Sequence, residues 1–365
     1  MSWLWLLLFN KVYQSTILLR VYKFYKFLAR LTTGTTEIYR ICYAASIQLG
    51  WQTGLESALD EKTDDDSLTT PLLETHVPAH IIYRIDRSIL YSKQLTAERR
   101  ELESDTCDVD QVLRGILAKK QFPSRSSQSP AARVLRICLI RIAETHQLTR
   151  EINERAHTKY DSTNPLHEQK LMRLWKALLP DTELESRLTR QWAEIGFQGN
   201  DPATDFRGMG MQGLDDLVYY TQQHPRSAQK TFTSSRHPIS WYPFAIVGIN
   251  ISQFAVQMLR TRQLQFYLFE HGTDKKTFNE FYCYLFHTFN EFWISHDEPK
   301  LTVMDFEMKF KEFKAIVGKD LMMLRVVPLS VLQVGRKEDV EQQEASSDKI
   351  ELQDTLRQRK PITMS

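Results

Sequence analysis

The chain has 365 residues, of which 42% are hydrophobic and 25% charged, so it can bury a core and is not a disordered polymer. Its 47 Lys and Arg against 45 Asp and Glu leave a net charge of +2, which removes any global electrostatic case for nucleic acid. Four cysteines at 42, 107, 138 and 283 form no CxxC, which excludes a disulfide framework and a cysteine-rich zinc fold and suits reduced thiols in a cytoplasmic protein.

The greasiest stretch, Trp3 to Phe9, falls short of the ~18–20 apolar residues of a spanning helix. Its basic residues (Lys11, Arg20, Lys23, Lys26 and Arg30) follow the apolar run, whereas a secretory signal places them before it. At about 100° per residue, Ile17, Leu18, Val21, Phe24, Tyr25 and Leu28 share one side of a helix. Arg20, Lys23, Lys26 and Arg30 share the other. Residues 1–31 are therefore expected to form an amphipathic arm at an intracellular membrane surface. The alternatives are packing on the protein's own domain and an uncleaved signal-anchor.

Acidic residues and prolines mark 60–80 as a linker. A polar helical pattern then runs from about Ile81 to Lys120, and the Ser- and Pro-rich stretch from Phe122 to Pro130 breaks it. A long helix is expected over Ala131 to about Arg155, and another opens at Asn164-Pro165 and stops at Pro180. Leu184, Leu188, Trp192 and Ile195 predict a helix over 183–195, and Leu214, Leu217 and Val218 predict one from Leu214 to about Gln223. The apolar segment 241–260 reads as a central helix carrying Asn250, Ser252 and Gln253. Over 274–294, Phe278, Phe281, Tyr282, Leu285, Phe289, Phe292 and Trp293 trace one continuous face, read as core. A last helix is expected from Thr302 to about Val317, with Phe306, Phe310 and Phe313 inward, and then a disordered tail over 331–365. Alternating strand patterns are almost absent, so the fold class is all-α and multi-helix.

Most familiar chemistry is missing. There is no nucleotide-cradling glycine loop, no HExxH and no GxSxG elbow. His76 and His80 have i, i+4 spacing, but Pro78 interrupts them, so no metal site is expected.

One segment stands apart. Glycines at 196, 199, 208, 210 and 213 suit a tightly turned loop, Asp201-Pro202 initiates a turn, and Thr204 and Asp205 can bond nearby backbone. Phe197 and Phe206 can pin this loop to a core, leaving Gln198, Asp205 and Arg207 on display. Arg207 is the loop's only basic side chain. It reads either as a structural partner of Asp201 or Asp205, or as a braced guanidinium offered to phosphate oxygens.

The run Trp192-x-x-x-Gly196-Phe197-Gln198-Gly199-x-Asp201-Pro202-x-Thr204-Asp205-Phe206-Arg207-Gly208-x-Gly210-x-x-Gly213-Leu214 resembles the signature of the ELMO domain. The resemblance places that domain over about 130–330, after an arm (1–59), the acidic linker (60–80) and a helical region with its own linker (81–129). The short N-terminal region is more similar to the ELMO domain-containing (ELMOD) proteins than to the longer engulfment proteins. It implies a GTPase-activating protein for Arf-family GTPases, notably the Arf-like ones, with Arg207 as the catalytic arginine. GTP and Mg²⁺ would belong to the partner, and the chain would need no cofactor of its own. Gln198, Asp201, Thr204, Asp205 and Phe206 would meet the GTPase; Trp192, Gly196, Phe197, Gly199, Pro202, Gly208, Gly210 and Gly213 would shape the loop. Departures from the pattern at Met211-Gln212 and Asp215-Asp216 bear on partner choice rather than on activity. The rival readings are a non-catalytic interaction module and a membrane-surface scaffold.

Overall fold

The computed structural model describes residues 8–51 and 77–334, apart from positions 10, 14 and 297. Most of the Trp3–Phe9 patch, most of the acidic linker and, of the tail expected over 331–365, residues 335–365 lie outside the described residues, while 331–334 are helical rather than disordered. The fold is all-α, with no strand among the described residues.

Residues 8–9 and 11–13 are helical, and an amphipathic helix follows them. α1 (Thr16–Thr33) starts at Ser15, whose side chain accepts from the Leu18 amide, and ends at Gly34 in the left-handed region. No residue of α1 is buried. Ile17, Val21, Phe24 and Leu31 are more than half exposed, at 71%, 61%, 62% and 71%. The polar inner stripe holds the helix in place: Tyr22 donates to Glu37, Lys26 pairs with Glu37, and Arg30 Nη2 donates to Gln121 Oε1 at 2.7 Å. Lys26 was expected on the solvated basic side; it instead turns inward, over the Tyr22 ring at 4.4 Å. No described helix is long and apolar enough to cross a membrane.

Two hydrophobic cores follow among the described residues. The first gathers α2 (Glu37–Gln48), α3 (Ala79–Leu90), α4 (Thr96–Leu102), α5 (Val109–Lys119) and the N-terminal half of α6 (Pro130–His157). The continuous helical pattern expected over 81–120 is broken twice. The first break is at Tyr91-Ser92, and the second precedes Asp108, whose carboxylate accepts from the amides of Asp110 and Gln111 and restarts the chain as α5. The second core takes in α7 (Pro165–Leu178), α8 (Gly210–Gln223), α9 (Pro225–Ser235), α10 (Phe244–Arg260), α11 (Gln265–His271), α12 (Lys275–Ile294) and α13 (Phe306–Met322). α6 serves both cores. Ala132, Leu135, Cys138 and Leu139 enter the first; Leu148 and Ile152 enter the second.

α12 is the centre of the second core, as its aromatic period predicts. Phe278, Phe281, Tyr282, Leu285, Phe289 and Trp293 are fully buried, and Asp274 caps the helix by accepting from the Thr277 amide. α13 begins four residues later than expected because Thr302 and Asp305 form a capping box around a 3₁₀ turn.

Candidate functional site

The helix expected over 183–195 is absent from its first half. Backbone groups there bond outward instead: the Glu185 amide donates to Gln191 Oε1, and the Thr189 amide donates to the Asn200 carbonyl. Thr189 is extended, and only Arg190–Ile195 forms a 3₁₀ turn. Leu188, expected on the apolar face, is 62% exposed.

Beyond it the chain is held by a ladder of aromatic rings. Trp175 of α7 meets Trp192 edge-on at 5.3 Å, Trp192 meets Phe197 at 6.0 Å, and Phe197 meets Phe206 at 5.5 Å. Phe206 stacks on Tyr160 at 5.4 Å. Both indole nitrogens are satisfied, Trp175 by the Thr182 carbonyl and Trp192 by the Arg187 carbonyl. Phe206, expected to touch a partner, is 1% exposed and belongs to this ladder; its ring shapes the loop from inside.

Two glycines dock the loop against its neighbours. Gly196 lies at φ +87°, and a Cβ there would sit 2.3 Å from the Phe244 amide nitrogen at the start of α10. Gly210 lies at φ +49°, and a Cβ there would meet the Thr158 carbonyl oxygen at 2.4 Å and that of Ala156 at 2.6 Å. The Met211 amide donates to the same Thr158 oxygen at 2.8 Å. α8 therefore starts at Gly210, four residues before the apolar periodicity begins, with its first turn set against the C-terminal end of α6.

Between these anchors Pro202–Gly208 forms a second 3₁₀ turn. Asp201 accepts from the Ala203 amide at 3.0 Å and pairs with Arg187 at 3.0 Å, and Arg187 in turn donates to Glu168 at 2.6 Å. Asp205 accepts from the Gln198 amide at 2.8 Å. Burial is the largest influence on its carboxyl and raises its pKa, against the Gln198 hydrogen bond and the charge of Arg207. Thr204 closes the turn through its hydroxyl, which donates to the Asp201 carbonyl.

Arg207 is exposed and forms no salt bridge with a described carboxylate. Its Nε donates to the Thr204 carbonyl at 2.8 Å. That bond aims the guanidinium and leaves both terminal nitrogens to a partner. Gln198, Gly199 and Gly208 are exposed on the same loop, while Pro202 and Gly213 are buried beneath it. Arg207 stands at the edge of a cleft of about 1100 Å³, bounded by the C-terminal end of α6, the second 3₁₀ turn and the outer face of α10. The sequence reading missed this cleft. Gln253, taken there as a polar residue of a buried helix, is exposed on its wall.

The departures at 211–216 have internal roles. Met211, Gln212 and Asp216 are fully buried, so none of the three meets a partner directly. Gln212 donates to Asp216 at 2.7 Å. Burial is the main cause that pushes the Asp216 carboxyl up to about 7. Burial also opposes ionisation of Asp215, but hydrogen bonds from Arg155 and Lys170 outweigh it and hold that carboxyl below its usual range. Asp215 thereby ties α8 to α6 and α7.

Comparison with known proteins agrees with the motif. A profile of the ELMO/CED-12 family matches residues 150–310, which contain the whole loop. Mouse ELMO domain-containing protein 2 is 35% identical over 245 residues, covering 66% of this chain and 82% of the relative. Mouse ELMO domain-containing protein 1 is 32% identical over 316 residues, covering 81% and 86%. ELMO domain-containing protein B of Dictyostelium discoideum is 33% identical over 302 residues, covering 82% and 95%. This chain belongs to the ELMO/CED-12 family, among the ELMO domain-containing proteins.

Proposed function

We propose that this protein is a GTPase-activating protein for Arf-family, in particular Arf-like, GTPases, and that Arg207 is the arginine it supplies in trans. One observation carries the reading. Arg207 is an exposed guanidinium with no salt bridge to a described residue, aimed by its Nε and mounted on a loop that rings, glycines and ion pairs hold rigid. GTP, Mg²⁺ and the attacking water belong to the partner. As the γ-phosphoryl group transfers, charge builds on its oxygens, and a planar cation with two free terminal nitrogens neutralises it. Such an arginine contributes roughly 10³–10⁵ in rate, or about 4–7 kcal/mol.

The test is single-turnover hydrolysis by a panel of GTP-loaded Arf and Arf-like proteins, with wild type, Arg207→Lys and Arg207→Ala. Wild type stimulates at least one member, alanine abolishes the effect, and lysine restores little because it lacks the fork. Binding to GTP-loaded partner without stimulation would favour the non-catalytic module.

We further propose that α1 seats the protein peripherally on an intracellular membrane. Its outward face carries Ile17, Val21, Phe24, Leu28 and Leu31, all exposed, beside the exposed cations Arg20 and Lys23. An apolar stripe flanked by positive charge suits an anionic lipid interface.

A further inference from the structure

We propose that the cleft beside Arg207 receives an acidic, extended segment of the GTPase, so that Arg207 acts on the reaction while the cleft supplies affinity and orientation. The inference rests on the GTPase-activating reading above and names what the rest of the site binds.

The charge pattern comes first. Lys159, Arg207 and Arg260 all line the cleft, and no carboxylate does. None of the three has an ion-pair partner among the described residues. The cations just outside behave differently: Arg155 and Lys170 pair with Asp215, and Arg187 with Glu168 and Asp201. A concave surface of one sign focuses its field outward and selects a partner of the opposite sign.

Shape comes second. Gln253, Gln257 and Arg260 follow i, i+4, i+7 spacing on the exposed face of α10. Over that spacing a helix rises about 10 Å, the length of roughly three residues of extended chain. The stripe therefore offers two amides and a guanidinium along a length that suits a peptide better than a single small anion.

The test uses the full-length protein in single-turnover assays over a range of activator concentration. The Lys159→Glu/Arg260→Glu double variant should raise the half-saturating concentration about tenfold or more, with a smaller effect on the maximal rate and a stronger effect at low salt. Arg207→Lys should show the opposite split, and a charge-matched Lys311→Glu/Lys319→Glu double variant on α13, away from the cleft, should match wild type. If circular dichroism shows the double variant misfolded, Gln257→Glu, an exposed single change, should move half-saturation in the same direction. A half-saturating concentration within about twofold of wild type overturns the cleft proposal and leaves the Arg207 reading standing. A lowered maximal rate at unchanged half-saturation also overturns it, since the cations would then act on the phosphoryl group. Failure of wild type to stimulate any GTPase in the panel defeats the parent reading, and this one with it.

Discussion

Gly210→Ala and Gly199→Ala separate two costs that a loop glycine can hide. Both residues have positive φ, +49° and +71°. A side chain in that region costs roughly 1–2 kcal/mol from local sterics alone. At Gly199 nothing lies within 4 Å of the added Cβ, so that local cost should be the whole effect. At Gly210 the Cβ would fall 2.4 Å and 2.6 Å from the Thr158 and Ala156 carbonyl oxygens, and backbone atoms cannot swing aside as a side-chain end can. The start of α8 must lift from α6, which breaks the Met211–Thr158 hydrogen bond, worth about 1 kcal/mol, and disturbs buried Met211. The total should reach about 3–5 kcal/mol, a large share of a typical domain stability. Urea unfolding followed by far-ultraviolet circular dichroism measures both variants. The same lift displaces the turn that carries Arg207, and a displacement of about 1 Å costs roughly 10² in rate. Stimulation should therefore fall more than about tenfold in the Gly210 variant and little in the Gly199 variant, assayed well below their unfolding midpoints. Equal stability losses would refute the reasoning, because they would show that contact with α6 does not hold the loop.

Phe281→Ala, in the fully buried face of α12, should cost about 3–5 kcal/mol in the same unfolding assay; unchanged stability with lost partner binding would make that face an interface. The raised pKa of Asp216 means that the folded state holds a proton the unfolded state releases. Its contribution is fully present below the unfolded pKa of about 4 and is lost as pH rises to about 7. Asp216→Asn should therefore gain on wild type by about 3 kcal/mol between pH 5 and pH 8, seen as diverging urea midpoints; parallel pH profiles would contradict it. Phe24→Glu, on the outward face of α1, should weaken flotation with anionic liposomes and leave GTPase stimulation in solution within about twofold; equal flotation of the two proteins would defeat the arm reading.

Which parts of the molecule were legible follows from what each helix buries. α10 and α12 bury large apolar side chains at regular spacing, so periodicity found them. α9 buries Ser227, Ala228, Thr231, Phe232 and Ser235, a face of mostly small or polar residues that leaves no hydropathy signal. Its polar groups are nevertheless satisfied inside, with the Tyr220 hydroxyl bonded to Ser227 and Thr231. The segment 183–189 fails in the opposite sense. Its leucines have helical spacing, but its backbone donors go to Gln191 and Asn200, and tertiary partners win over a weak local pattern. The loop itself was readable because its glycines, Asp201-Pro202 and paired phenylalanines each limit the backbone. The cleft was not, since Lys159, Gln253 and Arg260 come together only when α6 and α10 pack on either side of α8.

The same packing explains how one arginine is kept free among many charges. A half-buried cation is stable only if paired, and Arg155 and Arg187 sit where their carboxylates hold secondary elements together. Asp201 and Asp205 are the carboxylates nearest to Arg207 in sequence, and each is engaged elsewhere. Arg187 reaches Asp201 from outside the loop, and the Gln198 amide occupies Asp205. Arg207 is left with a single backbone acceptor at Nε, which restricts the side chain without neutralising it. A guanidinium held this way gives up less rotamer entropy when it docks than a freely moving one. Being exposed to water until then, it needs no carboxylate in the free protein that a phosphate would have to displace. Ion pairs set around the loop, rather than upon Arg207, are what make its stability compatible with an available charge.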